Sequence, residues 1–158
     1  MNYWLIKSEP HVFSFDDLLA APDQTSPWEG IRNYQARNFM RDSMKKGDTL
    51  LYYHSSTQVP GIAGIAEVAS KAYPDPTQFN EQSPYFDPKA SQHNVRWVLV
   101  DIKALRKLER YLPLAELKKQ STLADMRLLQ KGNRLSIMPV TKPEYDFIVK
   151  LAKKPASS

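Results

Sequence analysis

Apolar residues along the chain follow two different periods, and the switches between them divide it into elements. Tyr3, Trp4, Leu5 and Ile6 form an aromatic, β-favouring run that predicts a first strand. Ser14 stands three residues before Asp17, the spacing of a capping box, and predicts a short helix through Leu18 and Leu19. Pro22, Pro27 and Gly30 then break the chain into a loop that carries Trp28. Asn33 is placed to cap a helix in which Ala36, Phe39, Met40 and Met44 recur at helical spacing, with Gly47-Asp48 ending it. Residues 49–54 read as a strand and Pro60-Gly61 as a turn. Residues 62–73 read as a longer strand in which Gly64 marks a bend or a close approach of backbone.

Residues 95–102 are almost continuous in apolar content, which predicts a strand covered on both faces, with Arg96 and Asp101 near its ends. Two short helices are expected over 114–119 and 123–129, and a last strand over 135–140. Thr141 and Glu144 repeat the capping-box pattern, with Pro143 in the first turn of a helix through Phe147, Ile148 and Leu151. Residues 74–94 stand apart. Pro74, Pro76, Pro84 and Pro88 forbid a regular ladder there, while Phe79, Tyr85 and Phe86 are too many aromatics for a solvated linker. That segment is expected to be an ordered covering loop. Strands with helices inserted between and around them, and no repeating βαβ series, predict an α+β fold: a small mixed β-barrel with peripheral and inserted helices.

Composition narrows the class of protein. A length of 158 residues with no internal repeat fits a single domain, taken as 1–153, with a tail at 154–158 expected to fray. The absence of cysteine excludes a disulfide scaffold, a thiolate metal site and a cysteine nucleophile. The opening apolar run is too short for a signal peptide, and no stretch nears the roughly 20 apolar residues that cross a bilayer. A soluble, cytoplasmic protein away from the membrane is the expectation. Twenty-two Lys and Arg against 17 Asp and Glu give a net charge of +5, which mildly favours polyanionic partners.

The common catalytic signatures are missing: no Walker loop, no dinucleotide fingerprint, no zincin helix and no nucleophile elbow. His11, His54 and His93 are scattered without metal spacing, so neither a metal nor a cofactor is expected. What remains is a set of polar and aromatic residues at element junctions. Lys7-Ser8-Glu9 ends the first strand, Trp28 to Asn38 runs from loop into helix, and Tyr53-His54-Ser55 ends another strand. Strand ends and helix starts are where a barrel offers side chains and amides to a ligand. Trp28 and Trp97 also suit simple core roles, Arg32 and Arg37 a solvated helix face, and His54 a satisfied strand end. Together they describe an aromatic wall beside amide and guanidinium groups, which suits a planar heterocycle with hydrogen-bonding edges.

At these residues the chain resembles a known family. Tyr-Trp-Leu-Ile-Lys-Ser-Glu-Pro at 3–10, Trp-Glu-Gly-Ile-Arg-Asn-Tyr-Gln-Ala-Arg-Asn at 28–38 and Tyr-Tyr-His-Ser at 52–55 are similar to the EVE domain family. Gly-Ile-Ala-Gly-Ile-Ala at 61–66, Trp97 with Val100-Asp101, and Leu-Ser-Ile-Met-Pro-Val at 135–140 continue the match in order, over residues 2–152. The resemblance implies a PUA-like fold, related to YTH and ASCH domains. It also implies a pocket for a modified base, methylated or hydroxymethylated cytosine in DNA being the ligands proposed for the family. Carried over by position, Lys7, Ser8 and Glu9 would line one side, Trp28, Arg32, Asn33 and Gln35 a second, and Tyr53, His54 and Ser55 a third. Trp97, Leu135 and Ser136 would close the pocket. The nuclear eukaryotic members carry a basic N-terminal extension, and since the motif here starts at residue 2 the expectation is a stand-alone bacterial member.

On this reading Trp28 stacks on an extruded base, and Asn33, Gln35 or Ser8 bond its edge. Arg32, Arg37, Lys45 and Lys46 meet phosphate. Three other readings stand beside it. One is an enzyme acting on a flipped base, with Glu9, Asp101 or His54 as the general base. Another is a reader of modified RNA, and the last is a small-molecule pocket. The sequence carries no indication of oligomeric state.

Overall fold

Six strands form one mixed sheet whose two faces are covered by chemically different layers. The computed structural model describes residues 1–156. The chain runs through β1 (Tyr3–Ser8), α1 (Pro10–Phe13), α2 (Phe15–Ala20), β2 (Thr25–Pro27) and α3 (Tyr34–Asn38), then β3 (Thr49–His54) and β4 (Gly61–Val68). β5 (Tyr73–Pro74), β6 (Val98–Leu99) and β7 (Asp101–Pro113) follow, then α4 (Leu114–Leu117), β8 (Ile137–Val140) and α5 (Lys142–Ala152). The sheet order is β2-β7-β4-β3-β1-β8. β1 and β3 are parallel, joined by the helical crossover, and every other pairing is antiparallel. β5 and β6 make a separate two-stranded ribbon.

The sheet curls into a half-barrel, and the irregular β4–β7 pairing accounts for much of the bend. Register shifts fall between Ile62 and Gly64 and between Ile65 and Ala66. Ile102 and Ala104 face one side while Leu108 and Leu112 face the other, although an even number of residues separates them. Only an extra residue in the ladder reverses the faces this way, and such bulges increase local twist. Gly64 sits where the strand must be bare, because a Cβ there would collide with the ring of Phe15 from α2.

Local signals read from the chain hold at several places. Ser14 and Asp17 form the reciprocal capping box of α2, as do Thr141 and Glu144 for α5. The Asn33 side chain accepts from the Ala36 N–H and caps α3. After Asn38 the helix widens into a π turn over Phe39–Ser43, so the single predicted helix is two pieces. Residues 123–129 are not one helix either; 3-10 turns occupy Ser121–Leu123 and Arg127–Leu129.

Two strand expectations change. The strand expected over 62–73 ends at Val68, and only Tyr73 and Pro74 resume pairing. The strand expected over 95–102 begins at Val98 and is interrupted before β7, because its backbone groups are bonded to loops. The Arg96 and Trp97 N–H groups donate to the Gln78 side chain, the Val100 carbonyl accepts from Trp28, and the Asp101 N–H donates to Ser70 Oγ. The covering loop expected over 74–94 is ordered around these same bonds. Of the tail expected to fray, the Lys154 carbonyl accepts from Arg110 Nε at 2.6 Å, and residues 157–158 lie outside the described residues. Among the described residues no helix is long and apolar enough to cross a membrane.

Candidate nucleic-acid interface

A cavity of about 380 Å³ opens where β1 ends, between α1 and the loop that follows β2. Lys7, Ser8 and Glu9 form one side, Val12 and Phe13 a second, and Ser26 to Ile31 a third; Tyr85 reaches over from the covering loop. Trp28 supplies the apolar floor. Its ring packs edge-on against Tyr52 at 5.6 Å and Phe13 at 6.3 Å, and only 8% of the residue remains accessible. The indole is therefore both a core residue and a wall of the cavity.

The wall of α1 is tied to the sheet through one carbonyl. Ser8 Oγ and Tyr52 Oη each donate to the Phe13 carbonyl oxygen at 2.7 Å. Burial pushes the Tyr52 phenol up to about 12, so it stays protonated as a donor at neutral pH. Lys7 lies 5.9 Å from the centre of the Tyr53 ring, and burial pulls its ammonium below its ordinary value. Its ammonium therefore lies on the Tyr53 side of β1, the same face as Leu5, while the residue borders the cavity beside Ser8 and Glu9.

The opposite lip hangs on Asp75, a fully buried carboxylate. Its oxygens accept from the Gly30 N–H at 2.8 Å, the Thr77 N–H at 2.8 Å, the Thr77 hydroxyl at 2.5 Å and Arg32 Nη1 at 3.1 Å. Burial alone would raise its pKa, but these donors outweigh burial and hold it below the ordinary range. Gly30 adopts φ +89°, and a Cβ there would lie 2.7–2.9 Å from the Tyr85 ring, so only glycine lets Tyr85 close over the lip.

Arg32 completes this clasp. Nε and Nη2 donate to the Tyr85 carbonyl, Nη2 also to Thr77 Oγ1, and Nη1 to the Ile31 carbonyl and Asp75. All five guanidinium N–H groups are thereby engaged inside the protein. Trp97 lies beyond Arg32, outside the cavity wall. It is buried, stacks on Tyr34 at 4.8 Å and donates from Nε1 to Asp87 at 2.8 Å.

Other residues named from the sequence have different neighbours. Asn33 caps α3, and Gln35 is exposed on it. Tyr53 is buried on the far face of the sheet, against which Leu135 also packs. His54 Nε2 accepts from the Phe15 N–H at 3.1 Å; burial lowers its pKa, partly offset by Asp16. Ser55 and Ser136 act through backbone, the first donating to the Ser8 carbonyl and the second accepting from the Lys7 N–H. Arg37 lies over Tyr34, while Lys45 and Lys46 are exposed near Gly47, with Lys46 bordering a separate groove. Phe13, Gly30 and Tyr85 were missed as wall residues. The signals were the aromatics of the covering loop and the lone glycine after Trp28. No group of three His, Asp or Glu side chains among the described residues could hold a metal ion.

A curled mixed half-barrel with helices laid across its faces and a hollow at the strand ends defines a PUA-like domain. The EVE domain model matches residues 2–151, and the chain belongs to the EVE domain family. Human thymocyte nuclear protein 1 is 42% identical over 173 residues, covering 99% of this chain and 76% of that protein. The crystal structure of human THYN1 protein in complex with 5-methylcytosine-containing DNA superposes with a TM-score of 0.92 at 42% identity, covering 99% of this chain and 100% of that one. A crystal structure from Pseudomonas putida gives a TM-score of 0.90 at 46% identity, covering 95% of this chain and 99% of that one.

Proposed function

We propose that this chain is a non-catalytic DNA-binding module that takes an extruded, methylated cytosine into the cavity at the end of β1. One observation carries the reading: the cavity brings Ser8 and the acidic residues Glu9 and Glu29 around the aromatic floor of Trp28. A cytosine ring offers an amino donor on its edge, which a carboxylate complements. A 5-methyl group would lie against Phe13, Trp28 or Ile31. The volume of about 380 Å³ falls in the range of small-ligand sites, roughly 300–1,000 Å³. The complex of the human relative with 5-methylcytosine DNA supports the same ligand class. Non-catalytic action is favoured because Ser8 donates to a carbonyl rather than to a base, and the His54 Nε2 lone pair is occupied by the Phe15 N–H.

Extruding a base costs a few kcal/mol, so a single-stranded or mismatched site is expected to bind better than a paired one. The test is a titration of matched oligonucleotides carrying cytosine, 5-methylcytosine or 5-hydroxymethylcytosine, as DNA and as RNA. Modified DNA is expected to bind tightest, and Glu9→Gln is expected to weaken it about tenfold, which is about 1.4 kcal/mol. Equal affinity for modified and unmodified DNA overturns the proposal, tighter binding of the RNA moves it to an RNA reader, and a new product by mass analysis refutes its non-catalytic half.

A further inference from the structure

A second aromatic and cationic cluster begins where the cavity lip ends. The Arg32 guanidinium carbon sits 5.6 Å from the Tyr85 ring centre and 5.3 Å from that of Trp97. Trp97 stacks in turn on Tyr34, at 4.8 Å with an interplanar angle of 26°. A continuous ladder of flat groups thus runs from the cavity to Tyr34, which is 47% exposed. Arg37 and Arg96 flank that last ring at 4.6 and 5.8 Å, and Arg96 also bonds the Tyr34 hydroxyl.

The three arginines of the cluster are not equivalent. Arg32 is fully partnered, as above. Arg96 Nε lies 2.9 Å from Asp87 Oδ2, an ion pair whose buried N–H is not aligned for a hydrogen bond. Arg37 bonds only neutral oxygens, the Arg96 carbonyl and Asn38 Oδ1, which leaves one hydrogen on each Nη. Its positive charge is therefore not neutralised by a hydrogen-bonded carboxylate. An exposed aromatic ring beside unsatisfied guanidinium edges is the chemistry that holds a nucleotide: base on the ring, phosphate on the fork.

We infer that Tyr34, Arg37 and Arg96 form a second nucleic-acid contact, which takes the nucleotide flanking the extruded base on the same DNA strand. Tyr34 receives the flanking base, and the two guanidinium groups receive its phosphate. This inference rests on the cavity being a base pocket. It adds that strand length beyond the modified nucleotide contributes to affinity through residues that never touch that nucleotide.

The test compares two probes, the 5-methyl-2′-deoxycytidine nucleotide alone and a single-stranded DNA oligonucleotide with the same base at its centre. Tyr34→Ala is expected to weaken the oligonucleotide about tenfold and leave the nucleotide unchanged. Arg96→Gln is expected to do the same and to lower the slope of log affinity on log salt by about one, whereas Arg96→Lys keeps the slope. Should Tyr34→Ala fail to fold, the Arg96 pair carries the test, since the Arg96 side chain is partly exposed and its backbone bond to Gln78 is retained. Wild-type affinity for the oligonucleotide in both Tyr34→Ala and Arg96→Gln overturns the inference. If the wild type ignores methylation yet both variants lose oligonucleotide binding, the cavity reading fails and the second contact stands. If the wild type binds no DNA, both fall.

Discussion

The two faces of the sheet differ in kind. One buries Leu5, Leu51, Ile62, Ile65, Leu112, Met138, Ile148 and Leu151, with α4 and α5 laid across them. The other buries Trp4, Phe15, Trp28, Tyr52 and Met40, and its cover is a chain of short helices and loops anchored by buried polar groups. Aliphatic packing is non-directional and closes on itself. Aromatic packing is directional, and its tilted rings leave a space that the Asp75 and Phe13 carbonyl anchors hold open. The same strands serve both purposes because alternate residues point to opposite faces.

The sharpest way to break this contrast is to delete the residue that belongs to both a core and a cavity. Trp28→Ala is expected to cost roughly 3–5 kcal/mol of stability by chemical denaturation, because the ring packs on Tyr52 and Phe13. It is also expected to abolish the preference for modified DNA in whatever fraction stays folded. Loss of binding with unchanged stability would mean that the indole acts only as a wall. By comparison, Leu112→Ala on the aliphatic face is expected to cost about 2–5 kcal/mol and to leave affinity per folded molecule unchanged. A change in affinity there, measured well below the unfolding transition, would show that the faces are coupled.

Asp75→Asn tests the clasp between the lip and the covering loop. Replacing a buried carboxylate that accepts from Gly30, Thr77 and Arg32 is expected to cost about 1.5–3 kcal/mol and to weaken modified-base binding through the loosened lip. The folded carboxyl titrates below its ordinary 3.8, so its stabilisation is complete above that value and is lost as pH falls through the folded pKa. The stability gap between wild type and Asp75→Asn is therefore expected to narrow in acid. A gap independent of pH between 7 and 3 would remove the charge from the explanation.

How much of this was legible beforehand depended on the range of the forces involved. β1, β3, α2 and α5 follow from signals only a few residues apart, the capping boxes and short apolar runs. No element was assigned to 103–113, where the sheet's longest strand runs. Its buried Ala104, Leu108 and Leu112 stand four apart because the ladder slips in phase, and four-residue spacing does not look like a strand. In the cavity, Lys7, Ser8, Glu9 and Trp28 sit in contiguous motifs and were visible. Tyr85 and the commitment of Arg32 were not, because both depend on Asp75 and the covering loop, more than 40 positions from Arg32 in the chain. An arginine whose true carboxylate partner lies far off in sequence reads as a phosphate contact until that partner is seen.

The smallest expected effect lies at the seam between the two faces, where His54 ends β3. Its Nε2 accepts from the Phe15 N–H at the first turn of α2, with Tyr52 and Tyr111 against the ring. The charged groups along the same groove are Asp16, Lys107, Glu109 and Arg110, of which Asp16 and Lys107 pair with each other at 2.7 Å. Burial lowers the imidazole pKa below its ordinary 6.5, Asp16 opposing this in part. Between those two values the unfolded chain binds the proton and the folded one does not, so stability rises with pH across that window. His54 is then fully stabilising above about pH 6.5, and its contribution declines as pH falls from there toward the folded pKa. Urea midpoints at pH 7.5 and 5.5 should differ less in His54→Gln, which keeps an acceptor for Phe15 without titrating. An equal drop in wild type and variant would place the acid sensitivity elsewhere, and the bond from Phe15 would then be only a structural cap on α2.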